Sequence, residues 1–202
     1  MLKRLFDFVS SLIGLVLLSP VFLIIAIWIR IDSEGPVFYR QPRVGKDGRD
    51  FSIFKFRSMR RGADKGRLIT VGGRDARVTR AGYYIRKYKF DELPQLINVL
   101  TGDMSLVGPR PEVRKYVNLY NERQMKVLSV KPGITDLASI KYRNENELLE
   151  HADDPEKMYT EVIMPDKLEY NLRYIHEQSF LYDLRLIFLT FMEILKKESN
   201  SK

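Results

Sequence analysis

Two adjacent carboxylates, Asp91 and Glu92, stand at the start of a predicted helix and directly follow a strongly basic stretch. A carboxylate near a helix N-terminus stays ionised, so it can hold a divalent metal or attack an electrophile. The simpler alternative is that the pair only caps the helix. The cations that could approach a polyphosphate beside the pair are Lys55, Arg57, Arg60, Arg110 and Arg143. Because phosphoryl transfer requires little beyond an anion-tolerant pocket, a metal and a nucleophile, these residue types favour that chemistry.

Arg110 lies between two prolines, and this spacing suits the presentation of a single side chain. The fixed φ angles of Pro109 and Pro111 restrict the orientation of the arginine, whose guanidinium offers a bidentate fork for phosphate oxygens. The alternative is a rigid turn with a solvated arginine. Asp166 follows Pro165 at another predicted helix start, where it either caps that helix or points into the site.

The composition of the 202 residues excludes several kinds of site. The chain has no cysteine and only two histidines, His151 and His176, which excludes disulfides, thiolate zinc sites, cysteine nucleophiles and histidine-rich metal sites. The net charge of +8 is uneven, since Pro36 to Phe90 contains 16 basic and four acidic residues while the remainder carries 18 and 22. Such a block indicates an anionic partner, whether a phosphorylated ligand, a lipid surface or nucleic acid, or else a solvated charged face.

A membrane segment precedes this basic block. Phe8 to Ile29 are 22 uncharged and mostly apolar positions, and a helix of that length covers about 33 Å, enough for a bilayer core. Ser19 and Pro20 lie near its middle, where the proline breaks or bends a helix and the serine can bond a freed carbonyl. Because basic residues flank both ends, we expect a hairpin that dips into one leaflet and returns, rather than a single span.

The rest of the chain predicts a small mixed fold. The turn at Asp47 and Gly48 separates β-rich runs at 37–44 and 51–59, which indicates a hairpin. Helices are predicted from Thr79 to about residue 89, from Pro94 to before residue 102, and over 112–130, 166–177 and 182–197. The sequence thus predicts an α+β fold. A re-entrant membrane helix hairpin at 1–34 precedes a small, mostly helical cytoplasmic domain at 35–202, with a short β-hairpin and interfacial amphipathic helices.

A series of sequence blocks follows in order along nearly the whole chain. These are KRLFD at 3–7, SP at 19–20, GPVF at 35–38, RVG at 43–45, FKFRSM at 54–59, DELPQLINV at 91–99, MSLVGPRPE at 104–112 and KPGIT at 131–135. Together they resemble the bacterial sugar transferases, also called monotopic phosphoglycosyl transferases. The length is similar to the minimal form of that family, which lacks the additional N-terminal spans of larger relatives.

The resemblance implies a reaction. A UDP-sugar gives its phosphosugar to a polyprenyl (undecaprenyl) phosphate, UMP is released, and a polyprenyl-diphosphate-linked sugar begins the assembly of a glycoconjugate or polysaccharide. It further implies a ping-pong sequence with Mg²⁺, in which Asp91 is the nucleophile and forms an aspartyl–phosphosugar intermediate. Glu92 then assists as a metal-site carboxylate or base, so that both carboxylates belong to the metal site.

The resemblance also implies roles for other residues. Arg110 contacts the nucleotide, Arg143 meets a phosphate, and Asp166 matches a further site carboxylate. Lys55 and Arg57 join the substrate-binding set because of their charge. Ser19 and Pro20 match the break that makes the membrane helix re-entrant.

One block differs from the family pattern. After KPGIT, many members continue with Gly-Trp-Ala-Gln and an Asn-Gly-Arg, whereas this chain has DLASIKYR at 136–143. The arginine is kept, as Arg143, but its neighbours differ. The difference bears on sugar specificity and leaves the reaction class unchanged.

We expect a monotopic protein on the cytoplasmic face of the bacterial cytoplasmic (inner) membrane. Its predicted partners are a UDP-sugar, polyprenyl phosphate and membrane lipid, without nucleic acid, and a homodimer is left open. The alternative function is a membrane-anchored nucleic-acid-binding protein, motivated by the basic block and by aromatics interleaved with cations at 51–61. A third possibility is a catalytically inactive scaffold.

Overall fold

The fold combines helices with two short sheets, and the mixed α and β character is the one that the sequence predicts. The computed structural model describes residues 2–63 and 75–199. The helices are α1 Leu2–Asp32, α2 Arg80–Lys87, α3 Gln95–Thr101, α4 Arg114–Val117, α5 Glu122–Met125, α6 Leu137–Lys141, α7 Glu145–Glu150, α8 Pro155–Met158, α9 Met164–Glu177 and α10 Phe180–Ser199. The strands are β1 Phe38–Val44, β2 Asp50–Phe56, β3 Ser105–Val107 and β4 Gly133–Thr135.

The predicted hairpin is confirmed. Strands β1 and β2 pair antiparallel, with Phe38 opposite Phe56 and Val44 opposite Asp50, and the turn uses positive φ angles at Asp47 and Gly48. The outer edge of β2 is closed by α3 rather than by a third strand. The side chain of Asn98, on α3, accepts from the Phe54 backbone N–H at 2.9 Å and donates to the Ser52 carbonyl at 2.8 Å. The hairpin and α3 therefore form one unit.

The apolar segment forms α1, the helix of the described chain that is long and apolar enough to cross a membrane. The predicted helix–break–helix hairpin is not confirmed, because helical backbone continues from Leu2 to Asp32 with Pro20 inside. Proline has no N–H for the carbonyl of Val16, four residues earlier. The hydroxyl of Ser19 donates to that carbonyl at 2.8 Å, as the sequence predicts, and this bond satisfies the group that the proline leaves free.

Both ends of α1 are bound to the folded domain. Near its start, Lys3 donates to the Val107 carbonyl at 2.9 Å, and the Asp7 carboxylate accepts from the Leu106 backbone N–H at 3.0 Å. Near its end, Asp32 accepts from the Ala81 backbone N–H at 3.0 Å. Between these points one face packs on the domain, while most apolar side chains on the other faces are exposed.

A parallel pair of short strands, β3 and β4, was not predicted from the sequence. Ser105 lies opposite Gly133, and Val107 opposite Thr135. The two segments approach closely at glycines, since a Cβ added to Gly133 would lie 2.1 Å from the Gly108 nitrogen. This close approach holds the Pro109-Arg110-Pro111 loop at the end of the pair.

The single helix predicted over 112–130 is wrong. The structure divides this segment into α4, α5 and a 3-10 turn at Lys126–Ser129. The local reason is a capping box, in which Asn121 and Gln124 bond each other's backbone N–H groups and start a new helix. The helices predicted at 166–177 and 182–197 correspond to α9 and α10, and the Thr79 cap of α2 is confirmed by its 2.9 Å bond to the Gly82 N–H.

Candidate active site

A large cavity of about 1520 Å³ lies between the hairpin and the C-terminal helices. Its lining includes residues of β2 and of the turn that carries Asp91 and Glu92, and also residues of α6, α7 and α9. The cavity is large enough for a substrate of nucleotide size, since binding clefts for drug-sized ligands are typically about 300–1,000 Å³.

Asp91 and Glu92 lie in a 3-10 turn, Phe90–Glu92, rather than in the first turn of α3. Lys89 enters the turn with a φ angle of 60°, and Pro94 separates the turn from α3. Asp91 is 8% exposed, and its Oδ1 atom has no hydrogen-bond partner within the described residues. Burial raises the pKa of Asp91, and the neighbouring Glu92 charge raises it further. One carboxylate oxygen is therefore buried in the cavity wall and free to act on a ligand.

The Glu92 carboxylate, in contrast, is paired with two cations, Arg110 and Lys55. Arg110 donates two hydrogen bonds to its carboxylate, from Nη1 to Oε2 at 3.1 Å and from Nη2 to Oε1. The Lys55 ammonium lies 3.7 Å from Oε1. Burial by itself would raise the pKa of Glu92, but Arg110 and Lys55 outweigh it and hold that pKa well below its usual value. Glu92 is thus an anion that gathers two cations beside Asp91.

Burial also affects the cations. It lowers the pKa of Lys55 to about 8, against the opposing attraction of Glu92. The pKa of Arg110 is raised above its ordinary value by Glu92. The sequence prediction that Lys55 and Arg110 share a site with the carboxylates is consistent with this geometry.

The Pro109-Arg110-Pro111 loop is fixed from both sides. Gly133 donates its N–H to the Pro109 carbonyl at 3.0 Å. The Arg110 N–H points to Oδ2 of the fully buried Asp136 at 3.3 Å, while Oδ1 of Asp136 caps α6 by accepting from the Ser139 N–H at 2.7 Å. Sequence reasoning missed this role of Asp136, although an aspartate three residues before a serine at a helix start is a capping signal.

A half-buried carboxylate, Glu112, was also missed. Its Oε1 accepts from Arg43 Nη1 at 2.8 Å and from the Val113 N–H at 2.7 Å. The hydroxyl of Tyr159 donates to Oε2. Burial, followed by the charge of Glu112, raises the pKa of Tyr159 well above its usual value. All three side chains line the cavity, where this network ties β1 to the helical part of the domain.

Arg57 lies two residues from Lys55, but its guanidinium is directed elsewhere. It donates to the Ser33 carbonyl at 2.7 Å and to the Glu34 carbonyl, just beyond the end of α1. The side chain is buried at 6% exposure. A cation at a helix C-terminus satisfies free carbonyls and complements the helix dipole. The guanidinium is thus engaged by backbone just beyond the end of α1, and the phosphate contact expected of Arg57 stays a prediction.

Arg143 and Asp166 form their hydrogen bonds with residues other than the carboxylate pair. Arg143 is in the cavity wall and donates to Glu193 at 2.8 Å. Asp166 is exposed and accepts from the Tyr142 hydroxyl at 2.6 Å. Burial, and then this hydrogen bond, raises the pKa of Tyr142 to about 12. Of the predicted substrate-binding residues, the structure thus brings only Lys55 and Arg110 beside Glu92.

The donor set fits a magnesium ion that shares its ligands with a phosphorylated substrate. Within the described part of the chain, no group of three metal-binding side chains is present. Mg²⁺ is commonly held by one or two carboxylates together with substrate phosphates and water. The unpartnered Oδ1 of Asp91 is suited to this arrangement, and Glu92 lies next to it.

Comparison with known proteins gives one family. The family model described as "Bacterial sugar transferase" matches residues 1–197. A UDP-glucose:undecaprenyl-phosphate glucose-1-phosphate transferase of Klebsiella pneumoniae is 41% identical over 192 residues, 93% of this chain and 39% of the relative. A UDP-N-acetylgalactosamine-undecaprenyl-phosphate N-acetylgalactosaminephosphotransferase of Aeromonas hydrophila is 39% identical over 197 residues, 96% of this chain and 44% of that relative.

A relative of similar length is the sugar transferase EpsL of Bacillus subtilis (strain 168), which is 38% identical over 198 residues, 98% of this chain and 89% of the relative. The chain therefore spans about two fifths of the length of some relatives and most of the length of another. The alternative of nucleic-acid binding has no support in these comparisons.

Proposed function

This chain belongs to the bacterial sugar transferase family, and we propose that it transfers a phosphosugar from a UDP-sugar to a polyprenyl phosphate, with undecaprenyl phosphate as the acceptor. The names of the Klebsiella and Aeromonas relatives support this substrate class. The observation that carries the proposal is the free, buried oxygen of Asp91 beside the Glu92–Arg110–Lys55 cluster. A nucleophile next to gathered cations is what transfer from an anionic diphosphate requires.

We propose two displacement steps at the sugar-bearing phosphorus. First, the Asp91 carboxylate oxygen attacks it, and the bond from that phosphorus to the bridging oxygen breaks. UMP leaves with the bonding electrons, and the phosphosugar stays on Asp91. A phosphate oxygen of the acceptor lipid then attacks the same phosphorus, and the bond to Asp91 breaks. The carboxylate is restored, and the product is a polyprenyl-diphosphate-linked sugar.

The neighbouring charges assist both steps. Arg110 and Lys55 approach Glu92 before the substrate arrives, so they are already positioned to stabilise negative charge on the departing nucleotide. Arg143, which also lines the cavity, meets a phosphate when it exchanges its bond to Glu193. Asp166 contributes indirectly, because it holds the hydroxyl of the cavity residue Tyr142.

Mg²⁺ is the cofactor of this proposal, with Asp91 and Glu92 as the residues that would hold it. When bound, the ion neutralises diphosphate charge. Lys55 and Arg110 then orient the phosphate oxygens relative to Asp91, and the buried wall excludes water from the reacting carboxylate.

The placement of the protein at the membrane is also a proposal. Because Lys3, Asp7 and Asp32 bind the same domain from opposite ends of α1, a single span would have to break one set of contacts. Many exposed apolar residues belong to α1, such as Leu17 at 72%, and others to α10, such as Phe188 at 62%. We therefore infer a monotopic protein on the cytoplasmic face of the inner membrane, with residues 1–34 as the membrane anchor and 35–202 forming the catalytic domain.

The test is the release of UMP from a panel of UDP-sugars by protein in nanodiscs, with Mg²⁺ and with or without undecaprenyl phosphate. We expect lipid-dependent turnover with at least one sugar. Asp91→Asn should reduce turnover at least 10³-fold, because the amide keeps the shape but cannot act as an anionic nucleophile. The matched control Asp50→Asn changes an exposed aspartate on β2 and should leave the rate unchanged. Near-normal turnover by Asp91→Asn would refute the covalent mechanism.

A further inference from the structure

The part of the cavity lining that α6 and α9 form contains two neutral polar side chains without partners in the described residues. These are Ser139 on α6 and Asn171 on α9, and both line the cavity. The Ser139 Oγ and Asn171 Oδ1 atoms are buried and have no hydrogen-bond partner in the part of the chain that the structure describes. Asn171 is 5% exposed. Buried polar groups of this kind cost stability and are concentrated where a ligand supplies the missing bonds.

The distribution of such atoms points to the cavity. Across residues 2–63 and 75–199, six buried side-chain atoms lack a partner, and five of them belong to residues that line this cavity. Three of the five are on charged side chains: Arg43, Arg57 and Asp91. The remaining two, Ser139 on α6 and Asn171 on α9, are neutral side chains that can both donate and accept hydrogen bonds.

Ser139 is closely connected to the reacting end of the cavity. Asp136 bonds the Ser139 N–H through one oxygen and the Arg110 N–H through the other, and Arg110 in turn pairs with Glu92. Helix α9 packs against α6, which brings Asn171 to the same wall. One turn before Asn171, Lys167 also lines the cavity and forms an ion pair with Glu145 at 2.6 Å.

A hydroxyl and an amide are suited to uncharged ligand groups that both donate and accept hydrogen bonds. In a nucleoside diphosphate sugar, the sugar is bonded to the phosphorus that Asp91 attacks, whereas the nucleoside is one phosphate further away. Ser139 is linked through Asp136 to Arg110, which pairs with Glu92 beside Asp91, so this part of the lining lies at the end of the cavity where the sugar-bearing phosphorus would react. On the basis of the proposed function, we infer that Ser139 and Asn171 bind hydroxyl or acetamido substituents of the donor sugar and determine which sugar is accepted.

The test measures sugar discrimination by binding and by turnover. Dissociation constants for UDP-glucose, UDP-galactose, UDP-N-acetylglucosamine and UDP-N-acetylgalactosamine are measured in nanodiscs with Asp91→Asn, which holds the donor without consuming it. The variants Ser139→Ala and Asn171→Leu are added to this background, and UMP is bound as a reference. The same two substitutions in the active protein are compared by kcat/KM for UMP release.

The preference is the ratio of the dissociation constants, or of the kcat/KM values, for the best UDP-sugar and the next best. We expect each substitution to reduce this ratio by roughly fivefold to tenfold, the loss that follows from one hydrogen bond. The affinity for UMP should not change. The matched control is Ser105→Ala, since Ser105 also has a buried, unpartnered Oγ but lies outside the described cavity wall. This control should keep the wild-type preference. Because the two substitutions are on different helices, the test can still be made with one variant if the other misfolds.

Three results would overturn the inference. The first is an equal loss of affinity for all four donors and for UMP, which would assign these residues to the nucleoside. The second is an unchanged preference in both folded variants, and the third is wild-type protein that binds all four sugars equally. Sugar discrimination in binding without any UMP release by wild-type protein would instead reject the proposed function and support the sugar site.

Discussion

Asp91 and Glu92 are neighbours in the sequence, but their carboxylates have different surroundings. Asp91 is buried with a free oxygen, and burial raises its pKa. Glu92 is held ionised by Arg110 and Lys55. Two carboxylates whose environments move their pKa values apart are suited to different roles. In our proposal the free one reacts, and the paired one keeps two cations in position.

Arg110→Lys tests whether the geometry of this pairing matters. Lysine keeps the charge but loses the planar fork that donates two bonds to Glu92. We expect kcat/KM for UMP release to fall at least tenfold, with the melting temperature changed by less than about 4 °C. The control Arg114→Lys alters an exposed arginine that pairs with Asp50 and should have little effect. Equal activity of the two variants would show that only the charge of Arg110 is needed.

At the scale of elements, the site depends on hydrogen bonds that join loops and helix caps to neighbouring strands and helices. The β3–β4 pair fixes the loop of Arg110, the Asp136 cap joins this loop to α6, and Asn98 joins α3 to the hairpin. Arg57 binds the end of α1 to the end of β2. Strands β3 and β4 have three residues each, and helices α3 and α6 have seven and five, so these side-chain and backbone bonds do much to fix their mutual positions.

Arg57→Met separates a capping role from a substrate-binding role. Loss of the bonds to the Ser33 and Glu34 carbonyls should lower the free energy of unfolding by about 2 kcal/mol, or the melting temperature by roughly 4–8 °C. The KM for UDP-sugar of the folded protein should stay within about twofold, because the guanidinium faces the helix. Arg40→Met, at an exposed position, serves as the control. A large rise in KM without loss of stability would restore the phosphate-binding role.

Gly133→Ala tests the close approach of β3 and β4. The added Cβ would lie 2.1 Å from the backbone nitrogen of Gly108, so the strands must separate and displace Arg110. We expect a loss of at least about 2 kcal/mol in the free energy of unfolding, measured by denaturant titration, and reduced UMP release. Gly14→Ala is the comparison, because its Cβ meets only the flexible Leu96 side chain at 3.3 Å. Gly14→Ala should be neutral or slightly stabilising.

At the scale of the whole molecule, α1 and the domain form one body. The helix is attached by charged and polar contacts near both ends, and its exposed faces are apolar. The cavity that contains Asp91 is built from the same domain. In our proposal, anchoring therefore places the reacting carboxylate near the headgroups of the membrane, where a lipid-borne phosphate can reach it.

The topology can be measured with single cysteines, because the natural chain has none. We expect Leu2→Cys and Glu34→Cys to react with a membrane-impermeant maleimide from the cytoplasmic side only, in inverted inner-membrane vesicles. Both positions lie next to ends of α1 that bind the same domain. Labelling of residue 2 from the opposite side would identify α1 as a single span and reject the monotopic placement.

The sequence by itself determined the features that depend on neighbouring residues. These include the hairpin turn, the Thr79 cap of α2, the long apolar helix with Ser19 beside Pro20, and the motifs of the family. Each depends on a spacing of a few residues, because capping, turns and helix faces are local.

Only the tertiary structure decided which cations meet the carboxylates. Lys55 and Arg57 are two residues apart, yet one faces Glu92 and the other binds the end of α1. The parallel β3–β4 pair, the link from Asp136 to Arg110, and the bond between Lys3 and Asp183 across 180 residues also have no local signal. Contacts of this kind depend on how distant segments pack together, and spacing along the chain does not encode that packing in a directly readable form.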